Sequence, residues 1–163
     1  MSLSRRAVVG ITAAALAATG TVLLVTVPAT ADQTLRLTTI ASGNTDLDLV
    51  PGEPGAGDTQ VFHDEVRRDG RRVGTSEGAC TITSASATSL AAYCAATVLF
   101  DDGSSLTLQG GFEEDPSVGP SEFRWAVTGG TGRYRAAGGE ATGTFRAEQV
   151  DGFDAVDLEI RLR

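Results

Sequence analysis

The chain has 163 residues, with 21 acidic residues against 13 basic ones, so its formal net charge is −8 at pH 7. An acidic protein of this kind repels nucleic acid and anionic membrane surfaces, and neither is expected as a partner. Every basic residue is arginine, and the absence of lysine excludes Schiff-base chemistry on a lysine side chain.

The first 31 residues are interpreted as an export signal. Arg5 and Arg6 precede an apolar, uncharged run over residues 7–27, and Ala29-Thr30-Ala31 supplies the small residues of a cleavage site. The arginine pair also fits a twin-arginine signal loosely, so export of a folded or of an unfolded chain is left open. Removal of residues 1–31 leaves one domain, 32–163, with eleven arginines against 21 acids and a formal charge of −10. We expect a secreted, extracellular protein without stable membrane insertion.

Short alternating segments fill residues 32–163, bounded by glycine, proline and acidic turns, and no long helical period occurs. The pattern predicts an all-β domain, an antiparallel barrel or sandwich. The candidate strands are residues 33–40, 58–67, 72–83, 89–100, 105–112, 122–128, 140–149 and 153–163. Residues 41–57, with two prolines and several glycines, are expected to form a long mobile loop.

The second candidate strand places an acid among apolar neighbours. Phe62, Asp64 and Val66 alternate on one face, which we expect to point inward, whereas His63 lies on the opposite, solvated face. Burial would raise the pKa of the Asp64 carboxyl toward the range useful for proton transfer, which makes Asp64 the candidate catalytic residue. The competing interpretation is a structural hydrogen-bond acceptor.

The third candidate strand carries small residues on one face. Gly74, Ser76, Gly78 and Cys80 either leave room for a small ligand or allow the barrel to coil tightly. If there is an internal pocket, its expected lining is Phe62, Val66, Ser76, Cys80, Leu108, Phe112 and Trp125.

The two cysteines, Cys80 and Cys94, favour a disulfide in an exported chain. The bridge would close a loop of about 15 residues and contribute roughly 3 kcal/mol. The alternative is a free Cys80 thiol in the pocket. The chain contains only one histidine in addition to these two cysteines, so no transition-metal site and no cofactor are expected. The acidic run over residues 113–115 is interpreted as solvated surface.

A glycine-rich stretch spans residues 126–145. The stretch does not match the Gly-x-Gly-x-x-Gly motif of a phosphate-binding loop. After Gly130-Thr131-Gly132 the position of the third glycine holds Arg135, and a β-like segment follows in place of a helix. We interpret it as a compact turn between two strands. Arg133, Tyr134 and Arg135 are then candidates for the pocket mouth, where arginine would bind a carboxylate or phenol; a plain solvated turn is the alternative.

Residues 126–139 resemble the corresponding segment of the allene oxide cyclase and dirigent superfamily of β-barrels. Residues 61–66, 73–80, 103–110 and 152–160 are similar to further segments of the superfamily in order and spacing. The resemblance implies a single eight-stranded antiparallel β-barrel with an internal, largely apolar pocket, often assembled as a homodimer or homotrimer.

The functional residues of the superfamily carry over only in part. As the resemblance implies, the cyclases use a first-strand glutamate and a pocket tyrosine; here residues 33–40 contain no acid, and Phe112 stands near the place of that tyrosine. Dirigent proteins place an aspartate after the glycine-rich turn and an arginine further on, where this chain has Arg133 and Gly138. Asp64, which matches the Phe-His-Asp strand of the superfamily, is retained.

Two functions are therefore considered. The first is a secreted barrel that confines a small hydrophobic or aromatic molecule and controls its cyclisation, isomerisation or coupling, in the manner of an isomerase or cyclase without a cofactor. The second is a non-catalytic carrier barrel that binds the same kind of ligand. An interaction module whose interior is filled by its own side chains is the third alternative.

Overall fold

The computed structural model describes residues 32–49, 51–52, 54–119 and 121–163, so the proposed export signal lies outside the described residues. The elements are β1 (Gln33–Leu47), β2 (Thr59–Arg68), β3 (Arg71–Ala85), β4 (Leu90–Phe100), β5 (Ser105–Glu114), β6 (Glu122–Thr131), the 3-10 turn η1 (Gly132–Tyr134), β7 (Gly139–Phe145) and β8 (Ala155–Leu162). Within these ranges, no helix is long and apolar enough to cross a membrane.

The eight strands form one closed antiparallel barrel. Each strand pairs with the next along the chain, and β8 pairs with β1, with Leu35 opposite Ile160 and Leu37 opposite Leu158. Alternating side chains of these two strands are buried, as the period-two pattern requires. The predicted all-β, eight-stranded antiparallel barrel is confirmed.

The two ends of the barrel differ. Residues 69–70, 101–104 and 132–138 connect strands at one end, called here the closed end. Buried apolar side chains fill the barrel toward this end: Leu35, Leu37, Val66, Val98, Phe100, Leu106, Val127, Tyr134, Ile160 and Leu162. The loops after β1, β3, β5 and β7 surround the opposite, open end. The core is therefore concentrated in one half of the barrel.

The first strand is longer than predicted. Residues 41–47 continue β1 and pair with β2 beyond a register shift between Ala41 and Gly43, so the mobile loop expected there is wrong for these residues. Asp58, which is buried, anchors part of the remaining connection by accepting the backbone N–H groups of Leu49 and Gly55, both at 2.8 Å. These two hydrogen bonds lower the pKa of the Asp58 carboxyl.

Candidate functional site

A cavity of about 590 Å³ occupies the half of the barrel nearer the open end. Five aromatic residues line it: Phe62, Phe112, Phe123, Trp125 and Phe145. Its charged lining residues are Asp64, Glu114, Arg146 and Asp154. The interior is therefore not filled by its own side chains, and a small molecule has room beside both flat apolar surfaces and carboxyl groups.

Aromatic rings on β6 and β7 form one wall of the cavity. Phe123 and Trp125 stack with ring centroids 4.2 Å apart and planes inclined by 29°, and Phe145 meets Phe123 edge-on at 5.9 Å. Glycines on the flanking strands make room for this stack, because a Cβ on Gly110 would meet the Trp125 ring and one on Gly143 would meet the Phe123 ring. The wall depends on these two glycines as much as on the rings.

The small residues of β3 serve both purposes considered for them. Ser76 and Cys80 line the cavity, which gives the ligand space on this side. Gly78 lies opposite Phe62, and a Cβ placed there would come within 2.6 Å of Phe62 Cζ. Gly74 lies against the Leu99 backbone carbonyl of β4. The serine and cysteine leave room, whereas the glycines allow close packing.

Asp64 lies in the cavity wall on β2, opposite Ala41 of β1 and Ser76 of β3. Burial raises the pKa of its carboxyl to about 6, and the nearby His63 acts in the opposite direction. No hydrogen bond from the described residues contributes to this shift. The exposed His63 lies outside the barrel, with Nδ1 3.4 Å from Glu77 Oε1. The carboxyl is thus held where an enclosed molecule would contact it.

The structure brings most of the predicted lining residues together. Phe62, Ser76, Cys80, Leu108, Phe112 and Trp125 all line the cavity with Asp64. Val66 does not, although it points inward and is completely buried. It lies two residues further along β2 toward the closed end, where the packed core begins.

The residues expected at the pocket mouth lie at the closed end. Arg133 Nη1 pairs with Asp102 Oδ2 at 3.0 Å, and its guanidinium lies 4.8 Å from the ring centre of Tyr134. Tyr134 is 4% exposed and packs against Phe100 with centroids 5.1 Å apart. Arg135 is exposed. None of these three residues lines the cavity, which corrects their expected position at its mouth.

The disulfide joins Cys80 of β3 to Cys94 of β4, which face each other directly in the strand register. Cys94 is fully buried, whereas Cys80 lines the cavity. The described residues include no free cysteine, so the predicted bridge is confirmed over the alternative of a pocket thiol.

Comparison with known proteins is consistent with the barrel fold described above. The chain matches the family of the allene oxide cyclase barrel like domain over residues 37–155. It belongs to this family. Among solved structures, pyocyanin demethylase is 26% identical, with a TM-score of 0.67, and the match covers 80% of this chain and 100% of that one. No curated protein matches the sequence.

Two further solved structures show the fold alone. A pterocarpan synthase dirigent protein is 20% identical, with a TM-score of 0.62, over 82% of this chain and 95% of that one. The Diels-Alderase AbmU from Streptomyces koyangensis is 22% identical, with a TM-score of 0.62, over 80% of this chain and 64% of that one. This chain therefore spans less than two thirds of the Diels-Alderase.

Glu114 is a cavity residue of this allene oxide cyclase-like barrel that was not among those expected from the sequence. It ends β5 and lines the cavity, although it belongs to the acidic run that was interpreted as solvated surface. Burial raises the pKa of its carboxyl, and its Oε2 atom is buried without a hydrogen-bond partner among the described residues. Extending the alternation of Leu106, Leu108 and Phe112 by two residues would have placed Glu114 inside.

The polar groups of the cavity do not form a metal site in the described part of the allene oxide cyclase-like barrel. There, no group of three histidine, cysteine, aspartate or glutamate side chains is arranged to hold a metal ion. What the arrangement offers is an enclosed apolar space, stacked rings and two carboxyl groups with raised pKa values.

Proposed function

We propose that the barrel confines a small hydrophobic or aromatic molecule and controls its cyclisation, isomerisation or coupling, with Asp64 as the proton-transfer residue. The observation that carries the proposal is a carboxyl group with a pKa of about 6 in the wall of an aromatic-lined cavity. A carboxyl of this pKa is present in both protonation states near neutral pH, so it can take up a proton and return it.

The cavity contributes confinement and orientation. Its aromatic wall offers flat surfaces on which a ligand can lie, and the packed core closes the space behind it. Holding one conformer lowers the entropic part of the barrier to ring closure or rearrangement. In an isomerisation or cyclisation, ionised Asp64 would remove a proton from one atom and return it to another, so that substrate and product have equal mass. In a coupling reaction the barrel would only orient partners that an external oxidant has activated.

The similar structures support a cavity that handles small molecules. The 26% identical neighbour is by its name a demethylase of pyocyanin, and a dirigent protein and a Diels-Alderase share the fold. We extend to this chain only what these names have in common, which is chemistry on a small organic molecule.

Secretion and self-association are part of the same proposal. A disulfide is compatible with an oxidising compartment outside the cytoplasm, where residues 1–31 would direct the chain. Assembly as a homodimer or homotrimer is expected from the superfamily resemblance, and light scattering of the purified protein tests it.

Product analysis tests the function directly. The purified protein is incubated with small-molecule extract of the source culture, and isomer ratios are followed by chiral chromatography with mass spectrometry. We expect a time-dependent change in one isomer ratio that Asp64→Asn abolishes. Asp69→Asn is the matched control, because Asp69 is exposed in the β2–β3 turn at the closed end.

The carrier alternative predicts a different result. A compound that binds and is recovered unaltered, with equal binding to the wild-type protein and Asp64→Asn, would identify a binding barrel. It would also show that the proposed role of Asp64 is wrong.

A further inference from the structure

The charges that line the cavity are unbalanced. Three carboxyl groups, those of Asp64, Glu114 and Asp154, share it with one guanidinium, that of Arg146. Arg146 Nε is already paired with Asp157 Oδ2 at 2.9 Å, and Asp157 does not line the cavity. Among the described residues, neither Asp64 nor Glu114 forms an ion pair with a cationic side chain. The cavity lining therefore has more carboxyl groups than cationic groups, and the carboxylates of Asp64 and Glu114 have no cationic partner among the described residues.

This imbalance has an electrostatic consequence for the ligand. A carboxylate that is partly buried without a cation is held at a cost, which appears here as raised pKa values for Asp64 and Glu114. A bound cation would reduce this cost, a neutral ligand would leave it unchanged, and an anion would increase it. The carboxyl groups thus favour a positively charged occupant.

The aromatic wall adds a requirement on shape. The faces of Phe123 and Trp125 present electron-rich surfaces, to which a cation is attracted at close range. Stacking covers the facing surfaces of the two rings, so a ligand can contact only an outer ring face. A flat ligand with delocalised charge would cover such a face over a larger area than a compact ammonium group. Shape and charge therefore point to the same class of molecule.

We propose that the cavity is selective for planar aromatic cations, with Glu114 and Asp64 as counter-charges. The inference rests on the proposed function, since it requires that the cavity be a ligand site, and it deepens that function by naming the chemical class of the ligand. Glu114 becomes a specificity-determining residue that need not take part in proton transfer.

Equilibrium dialysis at pH 8 against three-ring probes tests the charge preference. N-methylacridinium carries the cation, 9-methylanthracene is its neutral counterpart, and 9-anthroate is an anion. We expect N-methylacridinium to bind about tenfold more tightly than 9-methylanthracene, and 9-anthroate more weakly than both. Trp125 is the only tryptophan of the chain, so quenching of its emission would show that the cation occupies the cavity.

Charge-neutralising variants assign the effect to residues. Glu114→Gln should reduce the affinity for N-methylacridinium about tenfold and change that for 9-methylanthracene less than twofold. Asp64→Asn should act in the same direction and serves if Glu114→Gln does not fold. Glu113→Gln is the control, because Glu113 is the exposed neighbour on the outer face of β5, bonded to Ser89 at 2.6 Å.

Equal binding of the cationic and neutral probes, or a cation preference that survives both acid-to-amide variants, would overturn the proposal. Failure to bind N-methylacridinium would do the same. Isomer turnover that depends on Asp64 would still support the proposed function in each case, so the two failures are distinguishable.

Discussion

The ring of Trp125 lies against Gly110 on the neighbouring strand, so closely that a Cβ at position 110 would meet Trp125 Cδ1. Gly110 is part of β5, which also carries the cavity residues Leu108, Phe112 and Glu114. The absence of one side chain thus sets the position of the indole, and through it the stack with Phe123.

Gly110→Ala should displace Trp125. The added methyl group overpacks this contact, and we expect a loss of about 1–3 kcal/mol in the free energy of unfolding, with weaker binding of flat probes. Denaturant unfolding and equilibrium dialysis measure the two effects. Gly43→Ala is the control, because no atom lies within 4 Å of a Cβ built there. An unchanged affinity in Gly110→Ala would contradict the role given to the indole.

Asp64 should make stability depend on pH. Its pKa in the folded protein, about 6, lies above the value of 3.8 expected when unfolded, so between these values the folded state binds more protons. The contribution of Asp64 to stability therefore falls as pH rises from about 4 to about 6 and stays low above that.

Asp64→Asn removes this titration. The unfolding free energy of the variant minus that of the wild-type protein should therefore increase as pH rises from 4 to 7. We expect an increase of about 1–2 kcal/mol, allowing for partial solvent screening of the Asp64 carboxyl. Urea unfolding at both pH values measures the difference. Parallel pH profiles for the two proteins would show that the Asp64 carboxyl is not destabilised by burial.

The Cys80–Cys94 bridge should contribute to stability. Replacing both cysteines by alanine is expected to lower the unfolding free energy by roughly 3 kcal/mol, because the unfolded chain gains the freedom of the opened loop. Thermal unfolding with and without reductant measures this. The reductant should destabilise the wild-type protein alone; an equal response of the variant would point to another cause.

The glycine-rich turn should matter for stability and not for ligand binding. Tyr134→Ala would leave a cavity beside Phe100 at the closed end, and we expect it to cost about 3–5 kcal/mol. Arg133→Ala should change the affinity for N-methylacridinium less than twofold, because Arg133 pairs with Asp102 outside the cavity. A large loss of affinity in Arg133→Ala would restore this turn to the binding site.

The sequence predicts the strands well because their alternation is regular. It is less informative for residues 41–47, which have few apolar side chains and are held in β1 by pairing with β2. Pairing across a register shift depends on the partner strand, and local composition does not reveal it.

Alternation predicts whether a side chain points into or out of the barrel, but it does not predict how far along the barrel axis the side chain lies. Val66 and Asp64 both point inward, yet only Asp64 reaches the cavity. The pocket-mouth interpretation of Arg133 is wrong for a different reason. The end of the barrel on which a turn lies follows from the closed strand order, which the composition of the turn does not reveal. Glu114 was missed because its acidic neighbours suggested solvated surface, whereas β5 extends through Glu114 and turns its side chain toward the cavity.

The central claim is that the Asp64 carboxyl in the cavity titrates near pH 6, and carboxyl ¹³C NMR titration measures this directly. The Asp64 resonance is identified by its absence from the spectrum of Asp64→Asn. The account predicts a titration midpoint of about 6 for this resonance. A midpoint near 4, the value of an exposed aspartate, would contradict it and leave the cavity without its proton-transfer group.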